Sequence, residues 1–237
     1  MKIHFIMHES FESPAAIEIW AKTNSHMLTY TRLYAGDLLP TDTKNIDFLI
    51  IMGGPQSPAT SLTECSYFDA KKEIAFIKNA IDNKKKVLGV CLGAQLIGEA
   101  YGAKFEHSPH REVGVFSIHL TEAAKKDPVF SQFPNILSVG HWHGDMPGVP
   151  KGAEILAYSE GCPRQVVKYD RFIYGFQCHF EFTKEAIQGM LNHCSSDIAQ
   201  ADIMPYIQDS KTLKSHDYDS INHYLFQFLD YMQSVSN

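Results

Sequence analysis

KVLGVCLGAQLIGEAY, residues 86–101, is the stretch from which the fold can be read. Lys86 to Val90 reads as a strand buried on both faces of a parallel sheet, where apolar residues follow one another without alternation. Cys91 comes next, and Gly93-Ala94-Gln95 then opens a helix that continues to about Tyr101. A small-x-nucleophile-x-small segment between strand and helix is the pattern of a nucleophile elbow. Gly89 and Gly93 let the chain turn sharply and leave the approach to the sulfur open. The N–H groups and positive dipole end of the following helix favour a thiolate. A single free cysteine is more often an inert core thiol. The flanking glycines and the strand-to-helix junction favour the nucleophile here.

The same alternation extends upstream. Asp47 to Met52 (DFLIIM) is a second near-continuous apolar run, ended by Gly53-Gly54-Pro55. Ile3 to Met7 reads as the first strand, Ser13-Pro14 as an N-cap followed by proline at the first helical position, and Ala15 to Lys22 as a helix. Leu28 to Tyr34 reads as another strand, broken by Gly36 and Pro40. Tyr67 to Asp82 carries Phe68, Ile74, Ile77 and Ile81 at helical spacing. Strands alternating with helices predict an α/β fold with an open, mostly parallel sheet covered by helices on both faces. Downstream, short β-like runs at Val113–Leu120, Ile136–Val139, Glu154–Tyr158, Gln165–Tyr169 and Phe172–Cys178 predict an added antiparallel portion. Phe182 to about Cys194 turns helical. Tyr218, Ile221, Leu225, Phe228 and Met232 form the stripe of a C-terminal amphipathic helix. The expected organisation is a catalytic domain over residues 1–195 and a helical extension over 196–237 docked on it.

Composition narrows the function. The 237 residues are 44% apolar and 20% charged, ordinary for a globular chain. A net charge of -6 disfavours general affinity for nucleic acid or anionic membrane. The triple lysine 84–86 reads as a solvated helix end. No apolar run approaches the length of a membrane span, and Met1 to Met7 is too short for a signal peptide. Five cysteines without a C-x-x-C pair suggest neither a disulfide framework nor a thiolate zinc site, so a reducing cytoplasm is the expected setting.

Two further segments carry chemistry. From Ile173 to Phe182 the chain alternates: Tyr174, Phe176, Cys178, Phe180 and Phe182 on one face, Gly175, Gln177, His179 and Glu181 on the other. The second face is expected to be solvated or functional, with His179 taking the Cys91 proton and Glu181 holding the other ring nitrogen. Read without Cys91, the segment is an ordinary half-buried strand. Backbone N–H groups at Gly53-Gly54 and at Leu92, the residue after the nucleophile, suit an oxyanion hole, each donor worth roughly 3–4 kcal/mol. Taken alone, Gly-Gly-Pro is simply a turn. His141-Trp142-His143-Gly144-Asp145 lacks the usual zinc spacings and reads as a loop lining a polar pocket rather than a metal site. No metal or cofactor is expected, and Cys162 and Cys178 read as structural.

Together these segments resemble the class I glutamine amidotransferases, whose hallmarks are a Gly-Gly-Pro loop, a G-x-C-x-G-x-Q elbow and a G-x-Q-x-H-x-E strand. Here they are Gly53-Gly54-Pro55, Gly89 to Gln95 around Cys91, and Gly175 to Glu181. The resemblance covers about Lys2 to Cys194. It implies a flavodoxin-like sheet, a γ-glutamyl thioester on Cys91, proton transfer by His179 oriented by Glu181, and an oxyanion hole from Gly54 and Leu92. It also implies that Gln95 and the backbone around Trp142, His143 and Gly144 hold the α-amino and α-carboxylate groups of glutamine. Many members have His-Pro-Glu where this chain has His179-Phe180-Glu181. No ATP-pyrophosphatase signature follows Cys194, so the chain is most similar to the stand-alone, GMP-synthase-like subgroup that includes γ-glutamyl peptidases. The expected activity is glutamine hydrolysis that delivers ammonia to a separate synthase. The alternatives are a γ-glutamyl peptidase, a non-catalytic regulatory module on the same fold, and, more weakly, a redox-sensing cysteine.

Overall fold

The computed structural model describes residues 1–235. Nine strands form one sheet in the order β2-β1-β3-β4-β9-β8-β7-β5-β6. Strands β1 (Lys2–Met7), β2 (Met27–Arg32), β3 (Phe48–Ile51), β4 (Lys86–Val90) and β9 (Ile173–Phe176) pair in parallel. Strands β5 (Glu106–Leu120), β6 (Ile136–Met146), β7 (Glu154–Tyr158) and β8 (Val166–Asp170) add the antiparallel part. The parallel order 2-1-3-4-9 is that of a flavodoxin-like sheet, in which ligands bind outside the carboxyl ends of the strands.

Period-two alternation sorts the parallel strands onto two cores. Ile3, Phe5, Phe48, Ile50, Leu88, Val90, Tyr174 and Phe176 face one side. There they meet helices α1 (Ala15–Thr23) and α6 (Tyr218–Ser234). Ile6, Leu49, Ile51, Val87 and Ile173 face the other, under α2 (Ala70–Asp82) and α3 (Leu92–Ala100). Helix α4 (Lys184–His193) and the short α5 (Ser210–Ser215) complete the first layer. Among the described residues no helix is long and apolar enough to cross a membrane.

Three local readings need correction. Ser13 does not cap α1. Pro14 occupies that position without a side-chain bond, and the Ala16 N–H donates instead to the Glu181 carbonyl at 3.1 Å. The segment His141 to Asp145 is not a loop but the second half of β6, paired with β5 beyond a register shift. Finally, β9 stops at Phe176, and the face carrying Gln177, His179 and Glu181 is not wet. These three residues are at most 3% exposed. The apolar face is as expected: Tyr174, Phe176, Cys178, Phe180 and Phe182 all enter the first core.

Helix α6 belongs to that core. The Phe228 ring lies 4.8 Å from Phe176 and 5.0 Å from Tyr174, centroid to centroid. The Asn222 side-chain amide donates to the carbonyls of Phe180 (2.7 Å) and Phe182 (3.0 Å). Removing a fully buried phenylalanine deletes its transfer free energy and leaves a cavity. Phe228→Ala is therefore expected to cost about 3–5 kcal/mol in denaturant unfolding. A loss below about 1 kcal/mol would mean that the helix only rests on the sheet.

Candidate active site

The carboxyl ends of four parallel strands, β1, β3, β4 and β9, bring the candidate residues together. Cys91 follows β4 directly and sits at the N-cap of α3 with φ 51° and ψ −109°. A non-glycine residue held there is strained by roughly 1–3 kcal/mol, and the neighbours explain why it stays. A Cβ on Gly89 would lie 2.3 Å from the Gly93 backbone, and one on Gly93 would lie 2.2 Å from the Ile51 carbonyl oxygen. Only glycines let strand, turn and helix close this tightly. The Cys91 N–H donates to the Phe176 carbonyl at 2.7 Å, tying the elbow to β9.

His179 lies three residues beyond β9. Its backbone exchanges hydrogen bonds with Gly140 of β6 (2.7 and 2.9 Å), and its ring stacks on Phe182 at 4.1 Å. Nδ1 meets Glu181 Oε1 at 2.6 Å, the separation of a charge-assisted bond. Burial alone would drive the imidazole neutral. The Glu181 charge, with further help from Cys91 and the Glu181 hydrogen bond, lifts its pKa to about 10. Nε2 is buried with no formed hydrogen bond, although Cys91 acts on the ring. The Gln177 amide donates to Cys91 Sγ at 3.4 Å and accepts from Gln95 at 3.2 Å.

Gly53 adjoins the nucleophile. A Cβ there would be 3.4 Å from Cys91 Cβ, and one on Gly54 would be 3.2 Å from a Leu92 methyl. An open cleft of about 220 Å³ runs from Cys91 past Gly54, Gln95, Trp142, His143 and Gly144. Of the residues singled out in the sequence, Gly54, Gln95, Trp142, His143 and Gly144 line this cleft with Cys91, whereas Gly53, His179 and Glu181 line a smaller adjoining cavity that shares Glu12 with it. The Trp142 carbonyl is 3.8 Å from Sγ, and the Trp142 ring N–H donates to Asp197 at 2.7 Å.

Sequence reasoning missed the charged residues of the cleft. Asp197 also pairs with Arg111 at 2.7 Å. Glu12, after β1, puts its carboxylate against Gly53, where a Cβ would meet Oε2 at 2.3 Å. Its pKa rises to about 7 because burial outweighs the attraction of His179 and His8. No spacing flagged Glu12, Arg111 or Asp197. They converge only through the topology. The His141/His143 pair finds its carboxylate in Glu112 rather than Asp145, with three ligand-type atoms within 4.8 Å of one another. Asp145 instead meets His107 at 2.6 Å. Glu112 is engaged by Ser159 (2.8 Å), Gln165 (2.6 Å) and His143 (3.3 Å), while both His141 ring nitrogens and His143 Nδ1 form no hydrogen bond.

Comparison with known proteins agrees with this architecture. The family model "Glutamine amidotransferase class-I" matches residues 9–194. A glutamine amidotransferase-like protein of Salmonella typhimurium, YfeJ, is 45% identical over 97% of this chain and 96% of its own length. One of the subunits of a glutamine-hydrolyzing GMP synthase from Methanococcus vannielii is 32% identical over 56% of this chain and 63% of its own length. The crystal structure of SMU.1228c superposes with a TM-score of 0.97 at 45% identity, covering 99% of this chain and all of that one. A Thermotoga maritima glutamine amidotransferase shares the fold, with a TM-score of 0.87 at 20% identity over 99% of both chains. The match over most of the chain and the near-full-length relative make this protein a member of the class I glutamine amidotransferase family.

Proposed function

We propose that the protein hydrolyses the γ-amide of glutamine to glutamate and ammonia through a thioester on Cys91. The observation that carries this reading is that the strained Cys91 turn and Gly54 line one cavity while the buried His179–Glu181 pair and Gly53 line the adjoining one, with Gly53 packed against Cys91. The Cys91 thiolate adds to the amide carbonyl, and negative charge develops on oxygen. The N–H groups of Gly54 and Leu92 receive that charge. Protonated His179 gives its proton to the leaving nitrogen, so ammonia departs and a γ-glutamyl thioester remains. Neutral His179 then takes a proton from water, the hydroxide attacks the thioester, and glutamate leaves as the sulfur is released. Glu181 stabilises the charged ring and fixes its tautomer.

Recognition of the amino-acid end follows from the cleft charges. Arg111 meets the α-carboxylate and Glu12 the α-ammonium, alongside Gln95 and the Trp142–Gly144 backbone. Relatives whose names describe parts of GMP synthases support ammonia transfer to a separate synthase. Glutamine is the proposed substrate, and a γ-glutamyl peptide the competing one.

The deciding experiment offers glutamine, glutathione and γ-glutamyl dipeptides and measures ammonia and glutamate, with a diazoketone analogue of glutamine to label the nucleophile. Label on Cys91 and ammonia from glutamine are expected. Peptide cleavage with negligible release of ammonia from glutamine would reassign the substrate. Cys91→Ala is expected to abolish turnover, and Glu181→Gln to lower kcat by about 10²- to 10⁴-fold. Because the His179 pKa is raised, its acid form persists below about pH 10, so the alkaline limb of the pH–rate profile should fall only as pH approaches that value. A limb centred near pH 7 would contradict the charged imidazole. The ionised form of Glu12 is the disfavoured one in the folded protein, so it removes stability as pH rises from 4.5 through about 7. Glu12→Gln should therefore stabilise the protein by about 1–2 kcal/mol at pH 8 and not at pH 4, while raising KM. Equal unfolding midpoints at both pH values would rule this out.

A further inference from the structure

We infer that His8 and Glu73, neither of which lines the cleft, form a positioning dyad that aims and polarises the Gly53–Gly54 peptide as an oxyanion donor. The inference rests on the glutaminase reading above. Among the described residues no peptide bond is cis. In a trans peptide the carbonyl and the following N–H point in opposite directions. Whatever holds the Gly53 carbonyl therefore sets the direction of the Gly54 N–H. His8 Nδ1 lies 3.0 Å from that carbonyl oxygen. On the far side of the ring, Nε2 lies 3.0 and 3.1 Å from the two oxygens of Glu73, on α2.

Both ring nitrogens thus face acceptors only. A neutral imidazole has a single N–H and would leave one of these contacts as two facing lone pairs, whereas the imidazolium satisfies both. Burial opposes that charge, but the Glu73 charge and hydrogen bond, with help from the Gly53 carbonyl and Glu12, hold the ring above its ordinary pKa. The ring is 0% exposed and Glu73 1% exposed, so the pair exchanges nothing with solvent. Phe68 fixes the ring edge-on at 5.5 Å.

The layering is direct. A Cβ on Gly54 would lie 2.8 Å from His8 Cβ, and one on Gly53 would lie 3.4 Å from Cys91 Cβ. The peptide is therefore sandwiched between the dyad and the nucleophile. A cationic donor on a peptide carbonyl withdraws electron density from the amide and strengthens its N–H as a donor, since hydrogen bonds in a chain polarise one another. The stabilisation appears only when the oxyanion forms, so it belongs to the transition state rather than to substrate binding.

Three variants test this against a purely structural ion pair. Glu73→Gln removes the charge that keeps His8 protonated. His8→Asn keeps a neutral donor close to the Nδ1 position, and His8→Leu removes the donor. For each, glutaminase kcat and KM are measured together with the rate of Cys91 alkylation by iodoacetamide, which forms no tetrahedral oxyanion. The expected result is a fall in kcat of about 10- to 100-fold in Glu73→Gln and His8→Leu and a smaller fall in His8→Asn, with KM within about threefold. Alkylation rates should stay within about twofold of wild type. Unchanged kcat in Glu73→Gln overturns the inference. So does a parallel loss of turnover and alkylation, which marks general damage to the site. If a His8 variant does not fold, Glu73→Gln alone decides. Wild-type protein that alkylates at Cys91 yet turns over no γ-glutamyl amide overturns the underlying reading, and the inference with it.

Discussion

The backbone at Cys91 is the constraint from which the rest of the site follows. A residue with φ 51° between a buried strand and a helix persists only if both flanking elements are immobile, and two glycines pressed against neighbouring backbone make them so. Because β4 lies in the middle of the sheet, its neighbours β3 and β9 end beside the sulfur. The turn after β3 supplies peptide amides, and the segment after β9 supplies an imidazole. Strand β1, one place further out, supplies Glu12 and His8. The chemistry is assembled by sheet order, not by proximity in sequence.

Charge inside this assembly is handled in pairs. His179 meets Glu181, His8 meets Glu73, and His143 meets Glu112, each at most 5% exposed. An isolated buried ion would cost several kcal/mol. A pair with its remaining lone pairs satisfied comes nearer to balance, and removing one member leaves the other uncompensated. Glu12 departs from this rule, since its carboxylate adjoins Gly53 without a basic side chain of its own. Burial pushes its pKa up to about 7, so the ionised carboxylate is disfavoured there and a proton is held more tightly than usual.

Much of this was legible in the sequence, for identifiable reasons. DFLIIM and KVLGV announce buried parallel strands because their apolar residues do not alternate. The Gly-x-Cys-x-Gly junction announces the elbow because only that spacing relieves the backbone clashes seen at Gly89 and Gly93. His179 and Glu181 could be paired because they share a strand face. Alternation shows which residues are co-facial and not what covers them: here Gln95 of α3 meets Gln177, and Glu12 and Gly53 line one cavity with His179 and Glu181. The segment His141 to Asp145 read as a loop because its polar composition masks a strand whose histidines turn inward toward Glu112. Ser13 looked like a cap, but the carbonyl of Glu181, far along the chain, took that role. The partners of His8, Arg111 and Glu112 are equally distant in sequence, and no local pattern could have joined them.

Asn222 links the last helix to the chemistry. Its amide grips the carbonyls on either side of Glu181, at Phe180 and Phe182, so the peptide planes that orient the carboxylate are held from the end of the chain. Helix α6 is in this sense a tether on the acid. Whatever grips or loads the outer surface of α6 therefore has a mechanical line to the Glu181 backbone without entering the cleft.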